Sequence, residues 1–565
     1  MISATALWRA SLFVLCVIPP IATFVRAGND ESRPALAVVI SVDQMRADYL
    51  ERFAPWICEG GFARLVAHGA VYSECRYGHA GTKTAPGHAT ILSGTHPSIH
   101  GIMANEWIEP DTWQGRVAVE DAEAPLVGIT PRAWRSPGGV IEAKEGRSPR
   151  SLLATTVGDQ LKIRHGAGSK VFSASIKDRS AILMGGKLAD GAYWTENGRF
   201  ITSTYYRSEL PSWIAAFNER QLVEATFGRR WERLLSREIY DRVQGPDDAP
   251  GENSKWGLGR TFPRTIDGGT GQIGKDFYDA WYVSPFSNDV LAEFVKAAVK
   301  AEGLGRSTYT DLLCISFSQP DGIGHYAGPD SHEIMDSMLR LDRTLADFLE
   351  FLESEIGLDR CVVVLTADHG CAPMPERVHS FDRPGVTAGR IEGATLDALV
   401  GGSLAAAYGE PAENERWFIR DNDGYRLSRE VLDAHAVPIA DAARVVRDAL
   451  LSFEAIETAF TREQILGPVS TPDSRLLKLV RNSYPPARGQ DVVFVVRPFV
   501  IVNFSLGGTH GTPWDYDTHV PLVFMGGGAP VGENIEPVGV VDLATTLAPM
   551  LMVPAPPEAV GRRLF

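Results

Sequence analysis

Short runs of consecutive apolar residues recur along the chain, each closing on polar residues. They are Leu36-Ala-Val-Val-Ile-Ser-Val42, Val171-Phe-Ser-Ala-Ser-Ile176, Leu312-Leu-Cys-Ile-Ser-Phe317, Cys361-Val-Val-Val-Leu-Thr366 and Val520-Pro-Leu-Val-Phe-Met525. Runs that do not alternate are the pattern of strands buried on both faces of a parallel sheet. Helical periodicity fills the intervals and is clearest from Glu333 to Ile356. There Met335, Met338, Leu341, Leu345, Phe348 and Phe351 recur every three or four residues and form one apolar stripe. Strand and helix in alternation predict an α/β fold, with a doubly wound, mostly parallel central sheet flanked by helices. In such sheets ligands bind outside the carboxyl ends of the strands. Asp43, Lys177, Asp321 and Asp368-His369 all stand just after these runs, so one site gathered from distant sequence is expected.

Between the strands lie stretches of another texture, at about 106–150, 186–284 and 378–490. The first is rich in Pro, Gly and Trp. The second carries Tyr193-Trp194, Tyr205-Tyr206 and a Gly/Asp/Pro-rich patch, and the third an amphipathic portion from Leu432 to Phe460. We read them as cap insertions over the strand ends of one catalytic domain, 28–565, and not as separate domains. A chain of 565 residues is long enough for a large core of this kind. Its net charge of -15, with no basic run, argues against nucleic acid as a macromolecular partner.

The first residues differ again. Arg9 precedes the apolar run Ser11-Leu-Phe-Val-Leu-Cys-Val-Ile18, and Val25-Arg26-Ala27 precedes polar Gly28-Asn29-Asp30. This predicts a signal peptide over 1–27 and a periplasmic or secreted protein. A membrane anchor is the competing reading, against which stand the shortness of the run and its interruption by Pro19-Pro20. The other cysteines, Cys58, Cys75, Cys314, Cys361 and Cys371, form no CxxC pair, which argues against a thiolate metal site. Cys314 and Cys361 read as buried small hydrophobes, whereas Cys58 and Cys75 could pair in an oxidising compartment.

The richest chemistry surrounds Gly81-Thr-Lys-Thr-Ala-Pro-Gly-His-Ala-Thr-Ile-Leu-Ser-Gly94. A loop runs into a helix near Pro86, and Thr84 sits just ahead of the helix N-terminus, where free N–H groups and the dipole favour an anion. Thr84 reads as a helix cap or as a nucleophile whose pKa a metal would lower. Asp43, Asp321, Asp368, His325, His369 and His510 supply three carboxylates and three imidazoles at strand ends or in Gly-rich loops. Taken singly, each is equally well a cap or a turn residue. Together they suit zinc or a related borderline ion, in number enough for two sites on one open face. Two such ions, about 4 Å apart, form a device for in-line phosphoryl transfer. Lys177 and Arg179 offer cations and Asn105 an amide for the equatorial oxygens; the alternative for Lys177 and Arg179 is a solvated pair.

Several motifs then occur in one family's order: Val42-Asp-Gln-Met-Arg-Ala-Asp-Tyr49, Thr84-Ala-Pro-Gly-His88, His100-Gly-Ile102 through Asn105-Glu-Trp107, Ser175-Ile-Lys-Asp-Arg179, Pro320-Asp321 through His325, Ala367-Asp-His-Gly370 and Thr509-His-Gly511. From about Val38 onward the chain resembles the alkaline phosphatase superfamily, in its type I phosphodiesterase/nucleotide pyrophosphatase-related branch. Within it the likeness is to bacterial alkaline phosphatases of the PafA type, which have a threonine nucleophile. The resemblance implies Thr84 as nucleophile. It implies one Zn2+ on Asp43, Thr84, Asp368 and His369, and a second on Asp321, His325 and His510. Asn105, Lys177 and Arg179 would hold the phosphate. His519 rivals His510 and Thr82 rivals Thr84, but each lacks the matching local context. His88, His96 and His100 read as supports. Lys187 departs from the family, which often has His there.

Two cations beside the phosphate favour a monoester dianion over a diester. The expected activity is therefore alkaline phosphatase, with small phosphate esters as substrates and a phosphothreonine intermediate. A phosphodiesterase or phosphonate hydrolase on the same scaffold is the nearest alternative. A noncatalytic metal- or phosphate-binding protein would not need Thr84. A sulfatase is disfavoured because no Cys/Ser-x-Pro-x-Arg pattern fits.

Overall fold

In the computed structural model residues 33–128, 134–135, 142–143, 146–380, 388–468 and 474–565 are described. The expected signal peptide, 1–27, lies outside them. Eleven strands form the large sheet: β1 (Leu36–Val42), β2 (Gly69–Tyr72), β3 (Glu120–Val127), β4 (Gly146–Arg147), β5 (Val171–Ser175), β6 (Gly191–Glu196), β7 (Arg199–Ser203), β8 (Asp311–Phe317), β9 (Cys361–Thr366), β10 (Leu522–Gly526) and β11 (Gly532–Asn534). Across the sheet they lie in the order β11-β2-β10-β9-β1-β8-β5-β6-β7-β3-β4. The central five, β9 through β6, are parallel to one another. The flanks turn antiparallel at β10 and at β7, so the sheet is mixed, with its parallel part in the middle.

Every residue of β1, β8 and β9 is buried, in keeping with their unbroken apolar runs. Their register is even: Val42 lies opposite Phe317, and Ser41 opposite both Ser316 and Thr366. The three strands therefore end level, and whatever follows each one is delivered to the same edge.

Four helices position that edge: α1 (Thr84–Ser93), α2 (Asp178–Gly185), α3 (Gln319–Ala327) and α4 (His332–Glu355). α4 follows the predicted stripe, burying Met335, Met338, Leu341, Leu345 and Phe348, and the Ser331 side chain caps it by accepting from the Ile334 N–H.

The intervening stretches differ among themselves. Those at about 106–150 and 186–284 send β3, β4, β6 and β7 into the large sheet. That at 378–490 holds three strands of a separate four-stranded sheet, Phe418–Asp421, Gly424–Leu427 and Ile456–Thr461, completed by Val492–Val496. A second apolar cluster, including Leu396, Leu427, Val446 and Phe494, packs against it. The turn of this small sheet reaches the site, since Asn422 donates to the Glu106 carbonyl and accepts from Lys83.

Cys58 and Cys75 are both free thiols, so the pairing considered for them is not made. The Cys58 sulfur faces the Asp342 carbonyl of α4, whereas Cys75 is packed into the main core. No described helix is long and apolar enough to cross a membrane.

Candidate active site

Thr84 is the first residue of α1 and is buried; Lys83 before it is extended, and no side chain caps the helix. The uncapped N–H groups of the first turn are thus left to other partners. The Ala85 N–H donates to Asn105 Oδ1 at 2.8 Å, which turns the amide's NH2 end the other way. α1 comes so close to the end of β9 that a Cβ on Gly87 would stand 2.1 Å from the Asp368 carbonyl oxygen. Only glycine fits there. Tyr77 stitches the same junction, its hydroxyl donating to the Ala367 carbonyl at 2.9 Å.

Six of the predicted side chains meet in two groups, Asp43 with Asp368 and His369, and Asp321 with His325 and His510. In each group one ligand-type atom per residue lies within 4.8 Å of the others. In the first, His369 Nε2 stands 3.2 Å from Asp368 Oδ2 and 3.5 Å from Asp43 Oδ1. In the second, His325 Nε2 and His510 Nε2 stand 3.2 and 3.3 Å from Asp321 Oδ1. The groups adjoin, because the His369 and His510 rings stack at 3.5 Å between centroids.

Each histidine is oriented from behind. His325 Nδ1 bonds to the Gly508 carbonyl, His369 Nδ1 to that of Gly370 and His510 Nδ1 to that of Thr82, at 2.9, 2.9 and 2.7 Å. A carbonyl on Nδ1 places the proton there and leaves Nε2 as the lone-pair atom facing inward. Asp43 Oδ1, Asp368 Oδ2 and His369 Nε2 are buried without a hydrogen-bond partner among the described residues. Such orphans are costly unless something binds them, and this donor set fits a divalent cation.

The electrostatics are those of crowded buried charge. Burial, with the Asp368 carboxylate beside it, pushes the Asp43 carboxyl up to about 7. Burial alone would lower His369, but Asp368 outweighs it and holds the ring at about 9. Burial and the neighbouring His369 push His510 down to about 3. Burial opposes the Asp321 charge as well, yet His325 and Lys177 hold its carboxyl well below the usual range.

Lys177, just beyond β5, lies between the groups, its ammonium 2.7 Å from Asp43 Oδ2 and 2.5 Å from Asp321 Oδ2. Arg179 sits in the first turn of α2, and its Nε is buried without a hydrogen-bond partner among the described residues. Among the rivals, the Thr82 hydroxyl donates to the Thr512 carbonyl, and His519 bonds to the Ser73 carbonyl, outside both groups. His88 bonds to the Thr84 carbonyl and to Ser316, with Asp368 Oδ2 3.2 Å away. His100 accepts from the Ile102 N–H. His96 stands ring-to-edge with His79.

Two further residues serve the site without having been singled out in the sequence. Gln44 takes a left-handed conformation, with φ of 67°. Its N–H donates to Asp368 Oδ1 and its side-chain amide to Asp321 Oδ1, at 3.1 and 2.8 Å, so it braces one carboxylate of each group. Asp517 gathers the loop after His510, accepting from the Gly511 and Thr512 N–H groups and the Thr512 hydroxyl. The Gln44 side chain lies close against α3, where a Cβ on Gly324 would stand 1.5 Å from Gln44 Oε1.

Residues 37–431 match the family model described as type I phosphodiesterase / nucleotide pyrophosphatase. The chain is 33% identical to "Alkaline phosphatase PhoV" of Synechococcus elongatus, covering 94% of this chain and 92% of that protein. It is 32% identical to "Alkaline phosphatase PafA" of Elizabethkingia meningoseptica, covering 94% of each. The crystal structure of wild-type alkaline phosphatase PafA superposes with a TM-score of 0.85 at 31% identity, over 95% of this chain and 99% of that one.

Proposed function

The chain belongs to the type I phosphodiesterase/nucleotide pyrophosphatase family, and from that premise we propose that it is an exported alkaline phosphatase, hydrolysing small phosphate monoesters through a phosphothreonine intermediate. The observation that carries this reading is the pair of adjoining Asp/His groups beside the uncapped start of α1, where Thr84 lies.

Asp43, Asp368 and His369, with Thr84, would hold one Zn2+, and Asp321, His325 and His510 a second; when bound, these ions supply Lewis-acid stabilisation to the attacking and leaving oxygens. The Thr84 hydroxyl oxygen attacks phosphorus as the ester oxygen departs on the opposite side. The Thr84 N–H and the helix dipole face the developing charge, the Ala85 N–H being taken by Asn105 and that of Gly87 by the Lys83 carbonyl. The Asn105 amide and the Lys177 and Arg179 side chains hold the nonbridging oxygens. Water entering from the Asp321 side then attacks the phosphothreonine and regenerates the hydroxyl. Cations for two nonbridging oxygens suit a monoester dianion, since in a diester one of those oxygens carries an alkyl group.

The test compares an aryl phosphate with its methyl diester for wild type, Thr84→Ala and Lys177→Ala. We expect strong monoester preference in the wild type, near-complete loss in Thr84→Ala, and a loss in Lys177→Ala confined largely to the monoester. Faster diester cleavage by the wild type would replace this reading with a phosphodiesterase. Activity that survives chelation would exclude the two-metal mechanism.

A further inference from the structure

The loop leading to His510 holds an aromatic ring in an unusual place. Phe504 is 43% exposed, and Leu506 beside it 44%. The Phe504 ring lies nearly parallel to the His325 imidazole, with 12° between planes and 6.1 Å between centroids. It is therefore mounted on the rim of the Asp321–His325–His510 group.

The backbone of this loop is tied at several points. Arg390, itself paired with Glu376, donates to the Phe504 and Gly507 carbonyls at 3.0 Å each. The Asn503 N–H donates to the Ile391 carbonyl, and the Gly507 N–H to that of Gly251. At Gly507, with φ of +77°, a Cβ would stand 1.9 Å from the His325 carbonyl oxygen, so the loop is pressed against α3. These bonds fix the backbone that presents the ring, while the ring itself stays part-exposed against His325. A surface aromatic with a built orientation reads as a contact surface.

We propose that Phe504 is the leaving-group platform of the site, stacking the aromatic portion of aryl or nucleoside phosphate monoesters. The proposal rests on the monoesterase reading above. In that reading the ester oxygen departs toward the Asp321, His325 and His510 group, and the substituent it carries emerges over His325, where the ring waits. An aromatic substituent gains an offset or edge contact with Phe504, and Leu506 extends the apolar surface; a short alkyl substituent reaches neither.

The experiment uses the metal-loaded enzyme with phenyl phosphate and ethyl phosphate. The ratio of their kcat/KM values is expected to fall about three- to tenfold in Phe504→Ala and to recover in Phe504→Trp. A second readout avoids turnover. In a Thr84→Ala background, calorimetric binding of phenyl phosphate relative to inorganic phosphate should weaken by the same factor when Phe504→Ala is added. An unchanged ratio in both measurements overturns the proposal, including the case in which all substrates suffer equally because Phe504 only supports His325. Failure of the monoesterase reading looks different: the wild type cleaves the methyl diester faster than either monoester, whatever the binding ratios.

Discussion

Gln44 illustrates what single residues contribute here. A left-handed backbone in a residue other than glycine costs about 1–3 kcal/mol and persists only where its surroundings insist on it. What insists is the double attachment to Asp321 and Asp368. Partners that orient ligand-type carboxylates carry about ten- to a hundredfold in metal affinity. Gln44→Ala removes only the side-chain bond to Asp321. It should therefore weaken metal retention at the Asp321 group by that factor, read as metal content after dialysis against graded chelator. Gly324→Ala should act in the same direction, because the new methyl displaces the Gln44 amide; unchanged metal content in both variants would remove Gln44 from the site. At this scale the sequence was readable wherever chemistry and position coincided. Asp43, Asp321, Asp368, His325, His369 and His510 carry ligand-type atoms and follow strands or flank glycines. Gln44 and Phe504 offer no such chemistry, and only the folded arrangement gives them something to face.

Among the elements, the junction of α1 with the end of β9 sets how near Thr84 comes to Asp368. The close approach at Gly87 leaves no room for a side chain. Gly87→Ala should destabilise the protein by about 1–3 kcal/mol, as overpacking does, measured by urea unfolding, and should lower turnover by shifting the helix start. A variant that unfolds and turns over like wild type would show the junction to be slack. β1 and β9 were readable to the residue from their apolar runs, and α4 to within one residue at each end. The direction of β10 was not, because an apolar run has no polarity: Leu522–Gly526 looks like its parallel neighbours and runs against β9. β6 and β7 lay hidden in an aromatic-rich stretch whose texture suggested a cap, yet their hairpin continues the sheet beyond β5.

Over the whole molecule, a buried acidic pair ties the segment at 247–264 to α4. Glu252 and Glu333 are buried together with Arg264, which pairs with Glu333. Burial, with the Glu333 carboxylate nearby, pushes the Glu252 carboxyl up to about 9 from an ordinary 4.5. Between those values the folded protein holds a proton that the unfolded chain has released. Its stabilising effect is full below the lower value and disappears as pH rises through the higher one. Unfolding free energy should therefore decline from about pH 5 to about pH 9, and Glu252→Gln, which is neutral throughout, should flatten the decline. Parallel slopes for the two proteins in urea titrations across that range would assign the pH dependence elsewhere.

The level ends of β1, β8 and β9 have a consequence for when the enzyme can act. β1 comes from the first third of the chain and β8 and β9 from the second, and His510 joins them only from the stretch before β10. A ribosome must therefore release nearly the whole polypeptide before both groups are complete. Partial products cut within the small-sheet region keep Thr84 with Asp43, Asp368 and His369 but lack His510, so the second group is incomplete in them. The second group, and with it the pair, thus exists only once synthesis is nearly finished.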